Sequence, residues 1–187
     1  MTDDCILCLE EARESMEQAI AHLEREFHKI RAGKASPDML DGIKIEYYGT
    51  TSPLNQVANI STPDPKQIIV QPWDKSLLDT IDKAILAANL GFNPMNNGEV
   101  LRIIVPALTE ERRRDLVKQA KAEGEQTKIS IRNIRRTANE QAKKLKNEGT
   151  PEDDIKKLED EIQELTNDFV SKVDALLDAK EKDIMTV

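Results

Sequence analysis

The chain has 187 residues, of which 33% are charged and only 3% are aromatic. This length fits one large domain or two small ones, and so few bulky side chains favour long exposed helices over a compact β-sandwich. The net charge of −8 excludes any argument for nucleic-acid binding from total charge alone. No run approaches the roughly 20 apolar residues of a membrane span. The acidic N-terminus and the two cysteines are typical of neither a signal peptide nor a secreted disulfide-rich fold. We therefore expect a cytoplasmic protein without a membrane partner.

Residues 3–30 are predicted to form the first long helix. Its apolar residues recur in steps of three and four, which keeps them on one side of a helix: Ala12, Met16, Ile20, Leu23, Phe27 and Ile30. The stretch from Arg31 to Pro37 then interrupts the pattern, because glycine frees the backbone and proline disfavours a helical residue before it.

Residues 38–105 are predicted to form a small mixed unit of strands and one helix. Strands are expected over 43–48, 57–60, 67–71 and 100–105, where apolar and β-branched residues alternate or cluster between turn signals. Ser76 offers an N-cap for a helix that buries Leu78, Ile81, Ile85 and Ala88 and ends near Gly91.

The stretch from Thr109 to Lys146 is predicted to form one proline-free helix with two different sides. An apolar stripe again follows three- and four-residue steps: Val117, Ala120, Gly124, Thr127, Ile131, Ile134, Ala138, Gln141 and Leu145. Much of the other side is basic: Lys121, Lys128, Arg132, Arg135, Arg136 and Lys143. The stripe requires partner helices, and the basic side requires an anion or acidic neighbours.

A third long helix is expected over 151–185, with Thr150 as its cap and Pro151 at its start. The link after Gly149 is so short that the last two helices should be antiparallel neighbours. The predicted fold class is α+β, a long antiparallel three-helix bundle with an inserted small β/α/β domain. We expect the bundle to comprise 1–31 and 106–187, and the insertion to comprise 32–105. The two crossings contain chain breakers and are candidate hinges: Ala32, Gly33 and Lys34, then Val105, Pro106 and Ala107.

Positive charge is concentrated in one segment of this acidic chain. Residues 110–146 carry 12 basic and 6 acidic side chains, whereas residues 147–187 carry 5 basic and 13 acidic ones. A local field of this kind can attract an anion despite the total charge. Two interpretations remain open: a solvated face paired with acids of the last helix, or a binding face for RNA or another polyanion.

Other constellations give no chemical site. Cys5 and Cys8 have the spacing of a redox pair or of half a zinc site, but no second ligand pair and no strand before the helix is apparent. We expect them to be two small buried or surface residues without a chemical role. His22 and His28 lack metal-binding spacing, and the region around Gly33 lacks the pattern of a phosphate loop. We therefore expect no enzyme activity, no cofactor and no metal.

Several motifs occur in order along the whole chain. They are Phe27-x-x-Ile30-Arg31-x-Gly33-x-Ala35-Ser36-Pro37, Leu40-Asp41-Gly42-Ile43, Tyr47-Tyr48-Gly49, Leu108-Thr109-Glu110-Glu111-Arg112-Arg113 and Arg132-Asn133-Ile134-Arg135-Arg136-x-Ala138-Asn139. In these motifs and in its length the chain resembles the ribosome recycling factor family. One departure is Lys34, where many relatives are expected to have arginine; lysine keeps the charge but loses the planar fork.

The resemblance implies an L-shaped molecule with a mobile hinge, which binds the large subunit of the post-termination ribosome. With elongation factor G and GTP, such a monomeric factor helps to split the ribosome into subunits and release it from mRNA. The residues predicted to bind ribosomal RNA are Arg132, Arg135, Arg136, Lys128, Lys121, Asn139 and Arg31. The alternatives are an antiparallel coiled-coil adaptor that binds proteins, and a general RNA-binding chaperone.

Overall fold

In a computed structural model, which describes residues 1–30 and 33–186, the chain divides into two compact units. One comprises Met1–Ala32 with Glu110–Val187, and the other comprises Gly33–Thr109. In chain order the elements are α1 (Asp3–Lys29), β1 (Lys44–Tyr47), β2 (Thr50–Pro53), α2 (Leu54–Val57), β3 (Ala58–Asp64), β4 (Gln67–Pro72), α3 (Leu78–Ala87), β5 (Met95–Asn96), β6 (Leu101–Ile104), α4 (Glu110–Asn147) and α5 (Glu152–Met185).

Helices α1, α4 and α5 pack pairwise against one another in the helical unit. The N-terminal ammonium of Met1 lies 3.4 Å from Asp154, so α1 and α5 begin at the same end of the bundle. Helix α4 runs the other way, because Arg113 near its start donates a hydrogen bond to the carbonyl of Ile184 near the end of α5. The predicted antiparallel three-helix bundle is confirmed.

The bundle core follows the predicted spacing with one shift of phase. Helix α4 buries Leu116, Ala120, Gly124, Thr127, Ile131, Ala138 and Ala142. The assignment of Gln141 to the stripe was wrong: Gln141 is exposed and Ala142 is buried. On α1, Cys5 and Cys8 are both buried and continue the stripe of Ala12 and Met16 towards the N-terminus. Of the two expected locations, buried or on the surface, the structure shows the buried one for both cysteines.

The link between α4 and α5 is short because Gly149 takes a backbone conformation with φ of +101°. Lys146 and Glu152 form an ion pair of 2.9 Å across this link. Both groups are exposed, so the pair stabilises the fold only slightly. Three acidic residues in the first turn of α5 favour its start, since they complement the helix dipole.

The smaller unit contains two antiparallel sheets. Strands β1 and β2 form a hairpin, and the other four strands are ordered β3-β4-β6-β5. Three short elements were not predicted: β2, β5 and the single-turn helix α2. The predicted cap at Ser76 was also wrong, because Asp74 accepts hydrogen bonds from the backbone and the hydroxyl of Ser76. This contact caps a 3-10 turn over Lys75–Leu77, which leads directly into α3.

Apolar residues from β1, β4, β6 and α3 form the core of the smaller unit. Ile68, Val70, Ile81, Leu101 and Ile103 are inaccessible to solvent. Helix α3 buries Leu78 and Ile85 as predicted, whereas Ala88 is exposed after the helix has ended. Across both described segments, none of the helices combines the length and the apolar character needed to cross a membrane.

Candidate nucleic-acid interface

The outer side of α4 presents the arginine cluster because the buried side of the same helix fixes its rotation. Ile131 is inaccessible to solvent and Ala138 is 4% exposed, so both face the bundle core. At about 100° per residue, the intervening positions 132 and 136 turn away from that core. Both Arg132 and Arg136 are exposed in the structure.

Arg132 and Arg136 differ in their acidic neighbours from Lys121 and Lys128, which contact carboxylates on the same bundle. Within residues 1–30 and 33–186, no carboxylate forms an ion pair with either guanidinium. A guanidinium presents donors in a planar fork that matches two phosphate oxygens. The two side chains can therefore bind a phosphate backbone without first breaking an internal ion pair.

Arg135 lies at the edge of this exposed surface and is half-buried. Its Nη1 donates to Oε1 of Gln163 on α5 at 3.4 Å. The amide of Gln163 is in turn oriented by Asn167, whose Oδ1 accepts from Nε2 at 2.9 Å. The neutral amides of α5 hold this arginine and leave its charge uncompensated.

The two lysines of the predicted set face acidic residues of α5. Lys121 lies 3.7 Å from Glu181. Lys128 contacts both Asp174 and Glu125, and its side chain is only 15% exposed. The hydrogen bond to Asp174 raises the pKa of the Lys128 ammonium, so this lysine stays charged inside an ion pair. The two lysines of the basic side are thus paired with acids of the last helix. The arginines of the same side are not paired in this way and form an open cationic face.

Asn139 and Arg31 are the remaining predicted RNA contacts, and Lys143 is the remaining cation of the basic side. Asn139 is half-buried on α4, one turn beyond Arg135. Lys143, a further turn along, is exposed. Arg31 and the hinge residue Ala32 lie outside the described residues.

The other predicted hinge residues all belong to the smaller unit. Gly33 has φ of +70°, and a Cβ on it would lie 2.5 Å from Cγ of Leu108. Val105 is buried in the core, and its backbone N–H donates to the carbonyl of Lys66 at 2.8 Å. Lys34 is half-buried, whereas Pro106 and Ala107 are exposed. The smaller unit thus continues past the predicted boundary at 105 as far as Thr109.

Metal ligands and the buried cysteines were the other candidates for a chemical site. Within the two described segments, no three His, Cys, Asp or Glu side chains are close enough together to hold a metal ion. A cavity of about 260 Å³ lies between α1 and α4, with Cys8, Ala12 and Ile134 among its lining residues. Burial raises the pKa of the Cys8 thiol, which disfavours the thiolate form that reacts as a nucleophile.

The α5 residues that divide the basic side were not found from the sequence. Gln163, Asn167, Asp174 and Glu181 are separated by four and seven residues, which places them along one flank of the helix. That spacing is the available signal. Its pairing with particular cations of α4 requires the packing of the two helices.

Comparison with known proteins identifies the family. A family model described as ribosome recycling factor matches residues 23–185. This chain belongs to the ribosome recycling factor family. Ribosome-recycling factors from Flavobacterium johnsoniae and Cytophaga hutchinsonii are 58% and 56% identical to it, over 100% and 97% of both chains respectively.

Two solved structures of the ribosome recycling factor family agree over the full length of both chains. A solution structure of the ribosome recycling factor is 37% identical, with a TM-score of 0.77. The second structure has models for the T. thermophilus ribosome recycling factor and the E. coli elongation factor G bound to the E. coli post-termination complex. It is 42% identical, with a TM-score of 0.61. The chain is therefore a translation factor of ribosome recycling, and the resemblance found in its motifs is confirmed.

Proposed function

We propose that this chain binds ribosomal RNA of the large subunit through Arg132 and Arg136 on α4. The observation that carries the proposal is the exposure of these two guanidiniums on a helix whose lysines at 121 and 128 are already paired with α5. Phosphate contacts from such side chains give affinity that is independent of sequence and depends strongly on salt. The rest of the acidic chain then repels the same RNA and restricts contact to this face.

The other residues predicted to bind ribosomal RNA have different parts in the proposed function. Arg135 binds a further phosphate while Gln163 holds its guanidinium in place. Asn139 donates an amide hydrogen bond to the RNA, and Arg31 adds a contact near the first crossing. Lys121 and Lys128 mainly fix the position of α5 beside α4, since both already have carboxylate partners.

The proposed partner in recycling is elongation factor G on the post-termination ribosome. The support is the full-length relative whose structure also contains elongation factor G bound to a post-termination complex. Elongation factor G hydrolyses GTP and supplies the force, and this chain transmits that force to the ribosome. The chain acts as a monomer in the cytoplasm. It catalyses no covalent step and requires no cofactor. The result is separation of the subunits and release from mRNA.

Displacement of the smaller unit is proposed to occur at the two chain crossings. The inserted domain was predicted to comprise 32–105, with hinges at Ala32, Gly33 and Lys34 and at Val105, Pro106 and Ala107. Because Val105 is packed in the core of the smaller unit, we place the second bending point after it, towards Glu110. Rotation there changes few packed contacts within the smaller unit.

Cosedimentation with purified subunits tests the proposed interface. The protein should pellet with large subunits and much less with small subunits at low salt, and rising salt should weaken the interaction steeply. Binding that is insensitive to salt would favour the protein-binding adaptor. Equal binding to both subunits and to an unstructured RNA would favour the general RNA chaperone.

A further inference from the structure

The smaller unit carries the only tryptophan of the chain, and most of its side chain lies in solvent. Trp73 is 71% exposed, directly after the buried Pro72 that ends β4. Its backbone N–H donates to the carbonyl of Val57 at 3.2 Å, so the main chain is held while the indole is left uncovered. A single exposed apolar residue is common on protein surfaces. Trp73 differs because it forms a wall of two clefts.

The first cleft has a volume of about 510 Å³ and lies between β3 and the 3-10 turn over Pro37–Leu40. Asp38, Asp41, Asn55, Asn59 and Trp73 are among its lining residues. The second cleft, of about 490 Å³, is lined by Asn59, Gln71, Pro72, Trp73, Lys75 and Glu99. Because Trp73 and Asn59 line both, the two clefts form one surface around the indole, which we call the Trp73 surface.

The charged residues around Trp73 indicate which class of ligand the Trp73 surface can bind. Asp41 places an exposed carboxylate in the first cleft. In the second cleft, Lys75 forms an ion pair of 3.9 Å with Glu99, so the positive charge of Lys75 is compensated within the cleft. Residues 33–109 as a whole carry 8 acidic and 6 basic side chains. A phosphate backbone would be repelled here, whereas a cationic segment would be attracted.

We propose that the Trp73 surface binds an arginine-bearing basic segment of a protein partner. A guanidinium stacks on the face of an indole and forms a fork of hydrogen bonds with a carboxylate, and lysine cannot do both. Trp73 supplies the stacking face and Asp41 supplies an exposed carboxylate in the adjoining cleft. Asn59 and Asn55 can accept hydrogen bonds from the peptide backbone beside it. Tryptophan is also among the side chains that most often dominate the binding energy of protein interfaces.

The Trp73 surface gives the smaller unit a protein contact that does not involve the α4 arginines. This contact requires neither ribosomal RNA nor Arg132 and Arg136. The two sets of residues can consequently be tested separately. Loss of binding at Trp73 leaves the salt-dependent contact of α4 intact, and the reverse also holds.

Titration of the full chain with a fluorescently labelled hexa-arginine peptide tests the proposal. Because Trp73 is the only tryptophan, its emission should shift and saturate with the peptide, in parallel with the anisotropy of the label. Trp73→Ala should weaken binding at least about tenfold, as expected for loss of an interface hot spot. Trp73→Phe should weaken it only about two- to threefold, since phenylalanine keeps an aromatic face.

Charge controls separate a defined site from general attraction to an acidic protein. Asp41→Asn should weaken hexa-arginine binding about three- to tenfold, because one fork partner is lost. Asp160→Asn, which removes the same charge from the exposed side of α5, should change it less than about twofold. Hexa-lysine should bind several-fold more weakly than hexa-arginine.

Four results would overturn the proposal. They are wild-type affinity in a folded Trp73→Ala protein, equal effects of Asp41→Asn and Asp160→Asn, equal affinity for the two peptides, and a hexa-uridine RNA that shifts Trp73 emission at least as strongly as hexa-arginine. The last result would identify the surface as a base-stacking site for RNA. If Trp73→Ala fails to fold, the emission shift in the wild type and the Asp41→Asn comparison still decide.

Discussion

Replacing Arg136 by glutamine removes one exposed guanidinium from α4 and should flatten the salt dependence of binding to large ribosomal subunits. The structure sets the expected size of the effect, because Arg136 is exposed and no described carboxylate forms an ion pair with it. Each phosphate contact contributes about 0.7–0.9 to the slope of log affinity against log salt. Arg132 and Arg136 together should therefore account for a loss of roughly 7- to 12-fold in affinity over a fourfold rise in salt.

With Arg136→Gln, the part of this loss that the two exposed arginines cause should fall to about 2.6- to 3.5-fold, which is the share of Arg132 alone. Lys121→Gln is the matched control, because it removes an equal charge from the same helix at a position paired with Glu181. Its slope should change by less than about 0.2, since an exposed ion pair contributes little free charge. Sedimentation binding over a fourfold rise in salt, with melting of the same samples, measures both variants. Equal flattening by Lys121→Gln and Arg136→Gln would refute the division of the basic side.

Three further predictions concern packing. Gly124→Ala should raise the free energy of unfolding by up to about 1 kcal/mol, measured as a higher melting temperature. Alanine favours a helix over glycine, and its Cβ would lie no closer than 3.4 Å to the side chains of α5. A lower melting temperature would show that α4 and α5 pack too tightly here to accept the methyl group. Gly33→Ala should destabilise the smaller unit by about 1–3 kcal/mol through its positive φ. In urea unfolding, adding Leu108→Ala to the Gly33→Ala variant should restore only the stability that was lost through contact between the new Cβ and Leu108. If no stability is restored, the close approach of residues 33 and 108 is contradicted. Iodoacetamide should modify Cys5 and Cys8 only as fast as the bundle unfolds, since both thiols are buried. Mass spectrometry measures the rate of modification, and rapid modification of the folded protein would contradict this burial.

The three helices could be predicted from the sequence because their apolar spacing is regular over many turns of chain. The predicted limits of 3–30, 109–146 and 151–185 differ from the observed ones by at most one residue. The smaller unit was less predictable. Strands β2 and β5 carry mostly exposed side chains and show no alternation of apolar and polar residues. Their pairing with β1 and β6 is a property of the sheet, which local sequence does not encode.

The arginine cluster of α4 could be recognised from sequence, but the division among its cations could not. Lys128 and its partner Asp174 are 46 positions apart, and the contact depends on how α5 lies beside α4. The exchange of Gln141 for Ala142 in the core has the same origin, because helix packing sets the phase of the buried stripe. Trp73 was not selected because an isolated tryptophan carries no motif; its clefts exist only in the folded unit.

Splitting of purified post-termination ribosomes, followed by light scattering, tests the central claim most directly. The wild-type chain should split them only when elongation factor G and GTP are both present. A folded variant with Arg132→Gln and Arg136→Gln should require a much higher concentration for the same rate, and Lys121→Gln should match the wild type. Splitting by the double arginine variant at wild-type concentration would contradict binding through the exposed arginines of α4.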